Sequence, residues 1–194
     1  MKAKLFLAGV AMSALSTAAM AQTAGSVDGV INFQGTILSD TCKVSSLTGD
    51  AGTINVNMGS IAADEIGTVA APKRLTSGAG SANFDVVCKT GAKVSMKFAG
   101  KAGELSADKK MLRVNNGNTA AGFAQGVGIA VYEGTGAGAN AFDLSNGDLL
   151  AQTEVPASGG AINVRFAAAY VAADPAKIQP GIANASLPFT LSYE

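Results

Sequence analysis

The chain has 194 residues, with 14 basic and 14 acidic side chains, 24 glycines, no histidine and no tryptophan. A formal net charge of zero provides no field to attract nucleic acid or an anionic membrane surface, so we expect no nucleic-acid partner. The lack of histidine excludes imidazole catalysis and histidine metal sites. Glycine in this number indicates many tight turns between short strands.

The first 21 residues are predicted to be a secretory signal peptide. Lys2 and Lys4 precede an apolar run from Leu5 to Leu15, and small residues then lead to Ala21. A basic, an apolar and a small-residue region in this order are typical of a segment that is cleaved during export, here after Ala21. The apolar run is too short to span a bilayer. Residues 22–194 are therefore expected to form one exported domain.

Two cysteines, Cys42 and Cys88, lie in the exported part of the chain. Exported proteins fold in an oxidising compartment, where a cysteine pair is expected to form a structural disulfide. A metal site built on two cysteines would need histidine to complete it, and a nucleophilic cysteine would need a base to activate it. The sequence therefore predicts a Cys42–Cys88 disulfide and no metal site.

A strand with a period of two is predicted close to the start of the exported chain. One face of residues 27–37 carries apolar residues and glycines, while the other face is mostly polar. The first face consists of Val27, Gly29, Ile31, Phe33, Gly35 and Ile37. A glycine inside a strand weakens it unless another group must approach closely, so Gly29 indicates a position of close packing.

Short alternating segments continue along the chain, separated by turns rich in glycine, asparagine and proline. The predicted strands cover residues 53–59, 82–88, 92–99, 112–114, 127–132 and 162–171. A glycine loop at 134–138 follows one of them, but no helical pattern comes after it, which favours a hairpin loop over a nucleotide-binding loop. Helix is limited to about one turn near residues 174–177.

The last ten residues form the clearest alternating stretch. Leu187, Phe189, Leu191 and Tyr193 lie on one face of a predicted half-buried strand. Pro188 has no N–H to donate, so we expect regular pairing to begin only at Phe189. A domain that finishes on such a strand leaves one flank in need of a neighbour, which can come from another chain. About eight strands in all predict an all-β, immunoglobulin-like β-sandwich.

The two ends and the cysteine pair together resemble the fimbrial subunits, or pilins, of the bacterial chaperone–usher pathway, especially type 1 shaft pilins. The matching features are the alternating residues 27–38 ahead of the first cysteine, the segment 84–88 that ends at the second, and the tail 180–194. In that tail Gly181 is the fourteenth residue from the end and Tyr193 is the penultimate one. The likeness extends over the whole exported chain.

The resemblance implies how the sandwich would be completed. Pilins have an immunoglobulin-like fold that lacks its final strand, so residues 36–194 would form a pilin domain with an open groove. A periplasmic chaperone would fill this groove first, and at an outer-membrane usher the N-terminal extension of a neighbouring subunit, residues 22–35, would replace it. The implied donor residues are Val27, Gly29, Ile31 and Phe33, with Gly29 where the groove admits no side chain.

The same resemblance implies a role for the C-terminal residues. The groove and the strand that the chaperone and usher recognise would comprise Gly181, Leu187, Phe189, Leu191, Tyr193 and Glu194. On this interpretation the protein is a structural subunit of a fimbrium at the cell surface, formed from many copies of the chain. Such a fibre supports cell adhesion, and its subunit needs no cofactor.

Two other functions stay open from the residues alone. The chain could be a self-contained, secreted immunoglobulin-like binding domain whose first strand closes its own sheet. It could also be an enzyme, because acidic residues are paired at positions 64 and 65, 104 and 108, and 143 and 148. All of them lie in or beside polar loops, where solvated charge is the simpler explanation, so we expect no enzymatic activity.

Overall fold

The computed structural model describes residues 42–45, 53–73, 79–134 and 140–194. The predicted signal peptide, the predicted donor residues and all but the first glycine of the loop 134–138 lie outside these ranges. The predictions for Val27, Gly29, Ile31 and Phe33 therefore stay predictions.

The described part of the chain consists of strands and short 3-10 turns. The strands are β1 (Cys42–Ser45), β2 (Ser81–Cys88), β3 (Ala92–Phe98), β4 (Leu112–Arg113), β5 (Val127–Glu133), β6 (Asp148–Val155), β7 (Gly160–Ala172) and β8 (Phe189–Tyr193). The 3-10 turns are Ala63–Glu65, Ala102–Glu104, Val114–Gly117 and Pro175–Lys177, the last of them at the helical turn that the sequence predicts. None of the helices in the described ranges has the length and apolar character of a transmembrane segment.

The strands form two antiparallel sheets that share one core. The larger sheet has the order β1-β2-β7-β5-β4, and the smaller sheet has the order β6-β3-β8. Every second residue of β2 and of β3 is buried, as the alternating sequence predicts. Phe84 of β2 packs edge-to-face on Phe166 of β7, with ring centroids 6.4 Å apart, and Val94 and Met96 of β3 are fully buried. The predicted all-β sandwich is confirmed.

The predicted disulfide is confirmed as well. Cys42 lies directly opposite Cys88 in the ladder between β1 and β2, and the two sulfur atoms are bonded. The bond fastens the edge strand β1 to its neighbour and closes a loop of 46 residues. Cross-linking a loop of this length is expected to stabilise the fold by about 4 kcal/mol, because it restricts the unfolded chain.

Both faces of β5 are buried, which agrees with the apolar sequence of this strand. Ile129 belongs to the main core, whereas Ala130 and Tyr132 lie in a smaller apolar cluster on the opposite face of the larger sheet. Val69 packs on that cluster, and the Tyr132 hydroxyl donates a 3.0 Å hydrogen bond to its carbonyl oxygen. The segment that contains Val69 is thereby fastened to the outside of the larger sheet.

The structure differs from the sequence-based expectation at several places. The sequence predicts no strand at residues 42–45 and no helical turn at residues 63–65, 102–104 or 114–117, and those predictions are wrong. The sequence pattern does not predict β6, because the exposed and half-buried residues of this edge strand do not alternate. It does predict a strand at residues 53–59, and this segment is extended, with burial that alternates as expected. It nevertheless belongs to neither sheet, because no strand of the described ranges runs beside it.

Candidate functional site

A groove of about 810 Å³ lies along one side of the sandwich. Its two walls are residues 53–59 and residues 183–189, which lead into β8. Its floor is formed by side chains of both sheets, almost all of them apolar: Phe98, Leu112, Ile129, Val131, Leu149, Phe166, Ala168 and Tyr170. The core of the sandwich is therefore accessible between two extended stretches of backbone.

The strand β8 is paired along one flank only, as far as the described residues show. It runs antiparallel to β3, with Phe189 opposite Phe98 and Tyr193 opposite Val94. No described strand lies on its other flank. An unpaired flank presents a row of N–H and C=O groups that need a partner, and a further strand can supply it. The edge of β8 is thus a template for the addition of a strand.

The register determines which backbone groups face the unpaired flank. Glu194 and Lys93 exchange two backbone hydrogen bonds, of 2.8 and 3.1 Å. In an antiparallel ladder, pairs of this kind alternate with pairs whose N–H and C=O groups point away from each other. The residues of β8 whose N–H and C=O groups point away from β3 are Phe189, Leu191 and Tyr193. An added strand would therefore pair with these three residues.

The apolar face of the C-terminal segment points toward the core. Leu187, Phe189 and Leu191 are half-buried and pack on the core, while Tyr193 is 38% exposed. Leu187 and Phe189 line the groove, and Leu191 and Tyr193 continue the same strand beyond it. Regular pairing begins at Phe189, one residue after Pro188, as the sequence predicts.

Gly181 lies just ahead of the groove wall, against the backbone of residues 122–124. A Cβ atom at this position would lie 2.5 Å from the carbonyl carbon of Phe123 and 2.6 Å from the nitrogen of Ala124. The next residue, Ile182, exchanges two 2.9 Å hydrogen bonds with the same loop. The position therefore requires glycine because the two backbones approach so closely.

Two further hydrogen bonds hold the walls of the groove. The hydroxyl of Tyr170, in the floor, donates a 2.9 Å bond to the carbonyl oxygen of Ala183. Partial burial raises the pKa of Tyr170, which keeps its hydroxyl protonated as a donor. In the opposite wall, the carbonyl oxygen of Asn57 accepts a 2.7 Å bond from the N–H of Gly80. Both walls are thus tied to strands or turns of the sandwich.

A comparison with protein families matches residues 31–194 to the model of the fimbrial protein family. The chain belongs to this family. It is 30% identical over 192 residues to the fimbrial subunit type 1 of Klebsiella pneumoniae, which covers 95% of this chain and 93% of the relative. It is 29% identical over 187 residues to the type-1 fimbrial protein subunit of Serratia marcescens, and this match covers 94% of this chain and 96% of the relative.

This fimbrial protein is also similar in fold to a chain of a solved chaperone–usher pilus, a structure described for the uncoiling of its rod. The TM-score is 0.50 at 18% sequence identity, and the match covers 90% of this chain and 100% of the other. The immunoglobulin-like sandwich without its last strand is thereby confirmed, and so is the resemblance to type 1 fimbrial subunits.

The acidic residues that the sequence pairs are exposed, except Glu104, which is half-buried. Hydrogen bonds from Ser106 and from Ser145 lower the pKa values of Asp108 and Asp143, respectively, so both carboxylates are ionised at neutral pH. No charged side chain is buried in the described ranges, and no group of three potential metal ligands is found in them. The carboxylates thus have the environment of turn-stabilising surface groups.

The sequence alone does not identify all residues of the site. Of the site residues that the sequence predicts, two line the groove, namely Leu187 and Phe189, and Gly181 lines an adjoining cavity. Glu194 pairs with Lys93 rather than lining the groove. Sequence reasoning missed Tyr170, whose hydrogen bond reaches a residue 13 positions away, and the role of residues 53–59 as a wall. The alternation of residues 53–59 was the one available signal.

Proposed function

We propose that this fimbrial protein is a structural subunit of a chaperone–usher pilus, and that it polymerises by accepting a strand of another copy into the groove beside β8. The observation that carries the proposal is the combination of a groove that leads to the core with a flank of β8 on which no described strand lies. An added strand would satisfy the backbone groups of Phe189, Leu191 and Tyr193 and cover the apolar floor at the same time.

The donor is the N-terminal extension, residues 22–35, of a neighbouring copy. Its side chains Val27, Ile31 and Phe33 enter the groove, and Gly29 allows close approach to the floor. Burial of three such side chains contributes roughly 1.5–3 kcal/mol each, on the order of 5–9 kcal/mol before any backbone pairing. This is enough for a joint between subunits that dissociates slowly.

The proposed route to the surface begins with export on the signal peptide, residues 1–21. A periplasmic chaperone covers the groove until the subunit reaches an outer-membrane usher, where the donor strand of another copy takes its place. The groove of the subunit therefore has the chaperone and the neighbouring subunit as successive partners. The fibre lies on the cell surface and supports adhesion, and the subunit acts without catalysis or a cofactor.

A pair of deletions tests the proposal. Both retain Gln22, so that the signal-peptide cleavage site is unchanged; one removes residues 23–35 and the other only residues 23–26. The chaperone and usher are co-expressed, and sheared surface material is run on a denaturing gel without boiling. We expect detergent-resistant multimers from the shorter deletion and none from the longer one. Multimers from both would refute donation by residues 27–35, and monomers from both and from the wild type would favour a self-contained domain.

A further inference from the structure

In one stretch of the groove wall, a single residue makes the bonds that a neighbouring strand would otherwise make. Residues 183–188 line the groove and pair with no strand in the described part of the chain. The backbone N–H of Asn115 donates a 2.6 Å hydrogen bond to the carbonyl oxygen of Asn184, and the side-chain oxygen of Asn115 accepts a 3.2 Å bond from the N–H of Asn184. Asn115 therefore satisfies both backbone groups of Asn184, as a neighbouring strand would.

The side chain of Asn115 makes a third bond to the same segment. Its Nδ2 atom donates a 2.6 Å hydrogen bond to the carbonyl oxygen of Ile182. The two side-chain bonds lie on either side of Ala183, whose own carbonyl oxygen accepts from Tyr170. The wall residue Ala183 is thus fixed from one side by Asn115 and from the floor by Tyr170.

The backbone of Asn115 adopts an unusual conformation. Asn115, Asn116 and Gly117 have φ angles of 51°, 53° and 76°, which places three consecutive residues in the left-handed region. A residue other than glycine is unfavourable there, although asparagine tolerates the region better than most residues. Strain of this kind persists where surrounding contacts enforce it and is concentrated at functional sites.

We propose that Asn115 is a positioning residue that sets the place of the groove wall at residues 182–184 and thereby the width of the groove that receives the donor strand. The inference rests on the proposed strand addition at this groove. Between Gly181 and Pro188 no described strand pairs with the wall. Loss of the Asn115 side chain leaves residues 182–184 with the bonds from Tyr170, from the loop 122–124 and from the backbone N–H of residue 115, and this smaller number of bonds allows the wall to move outward. A wider groove contacts the donor less closely, and the donor dissociates sooner.

The test compares Asn115→Gly with Asn116→Gly in the full chain, co-expressed with its chaperone and usher. Glycine at either position relieves the left-handed strain, but only the first change removes the two side-chain bonds to the wall. Sheared fibres are heated in detergent, and the temperature at which multimers become monomers is read from gels. Hydrogen exchange of a peptide spanning residues 182–187 is measured by mass spectrometry in the same samples.

We expect the multimers of Asn115→Gly to dissociate about 5 °C below those of Asn116→Gly, because two hydrogen bonds are lost. Exchange in residues 182–187 is expected to be on the order of tenfold faster. Asn115→Asp keeps the acceptor for Asn184 but turns a carboxylate oxygen toward the carbonyl oxygen of Ile182, which also only accepts, so its multimers should dissociate below those of Asn116→Gly as well. If Asn115→Gly does not accumulate, Asn115→Asp decides by the same comparison.

Equal dissociation temperatures and equal exchange in the Asn115 and Asn116 variants would overturn the inference while leaving the proposed function intact. A wild-type chain that forms no detergent-resistant multimers would instead refute the proposed function, and the inference with it. The two failures are therefore distinguishable on one gel.

Discussion

The backbone N–H of Ala99 donates a 2.9 Å hydrogen bond to the carbonyl oxygen of Pro188, just before β8 begins. A residue other than proline would return a bond from its own N–H to the carbonyl oxygen of Ala99. The bond that Pro188 lacks therefore lies on the side of β3. The flank of β8 that faces away from β3 keeps all of its N–H groups for an added strand.

Replacement of Pro188 by alanine should leave fibre assembly unchanged. The new N–H can bond to Ala99, which contributes about 1 kcal/mol, but the unfolded chain gains freedom worth about 0.4–1 kcal/mol. We expect the free energy of unfolding, measured by urea denaturation, to change by less than about 1 kcal/mol. Loss of multimers in Pro188→Ala would place the missing bond on the flank that receives the donor.

Gly181→Ala should destabilise the subunit. The added Cβ would lie 2.5–2.7 Å from three atoms of residues 122–124. All three are backbone atoms, which cannot move aside as the end of a flexible side chain could. Overpacking of this kind lowers the free energy of unfolding by about 1–3 kcal/mol. Gly103→Ala is the matched control, because no atom lies within 4 Å of its Cβ position. Equal urea midpoints for the two variants would contradict the close approach at Gly181.

Ala168→Leu should prevent strand addition. Ala168 is 8% exposed and lies in the groove floor, so a larger side chain there would occupy the space of the donor. We expect few or no detergent-resistant multimers, because the donor would have to displace the new side chain or bind about 1–3 kcal/mol more weakly. Ala161→Leu, at an exposed position of the same strand, is the control and should assemble normally. Normal assembly of both would exclude this floor as the donor site.

Alkaline pH should loosen the wall at Ala183. Burial raises the pKa of Tyr170, so the folded state favours the neutral phenol over the ionised form. A group whose pKa is raised by folding gives its full stabilisation below the unfolded value of about 10, and the stabilisation disappears as pH rises through the folded value. We expect tyrosinate absorbance to show a late-titrating tyrosine that is missing from Tyr170→Phe. If the tyrosine that is missing from Tyr170→Phe titrates at the ordinary value of about 10, Tyr170 is not shielded by the fold.

Local features could be predicted from the sequence. Features that depend on contacts between residues far apart in the chain could not. Alternation identified β2 and β3, and Pro188 marked the start of β8, because both signals lie within a few residues. Residues 53–59 have the same alternation, but whether an extended segment acquires a neighbour depends on the rest of the fold. Asn115 bonds to Ile182, 67 residues away, and its own type signals only a turn.

Two substitutions in the predicted donor strand show whether a strand from one copy fills the groove of another. Gly29→Arg places a large charged side chain on the face that enters the groove, and Val30→Arg places the same side chain on the opposite face. Sheared surface material of both variants and of the wild type is compared on an unboiled denaturing gel. We expect a ladder of multimers from the wild type and Val30→Arg, and only a disulfide-bonded monomer, retained in the periplasm, from Gly29→Arg. An intact ladder from Gly29→Arg, or monomers from all three, would contradict strand addition by this segment.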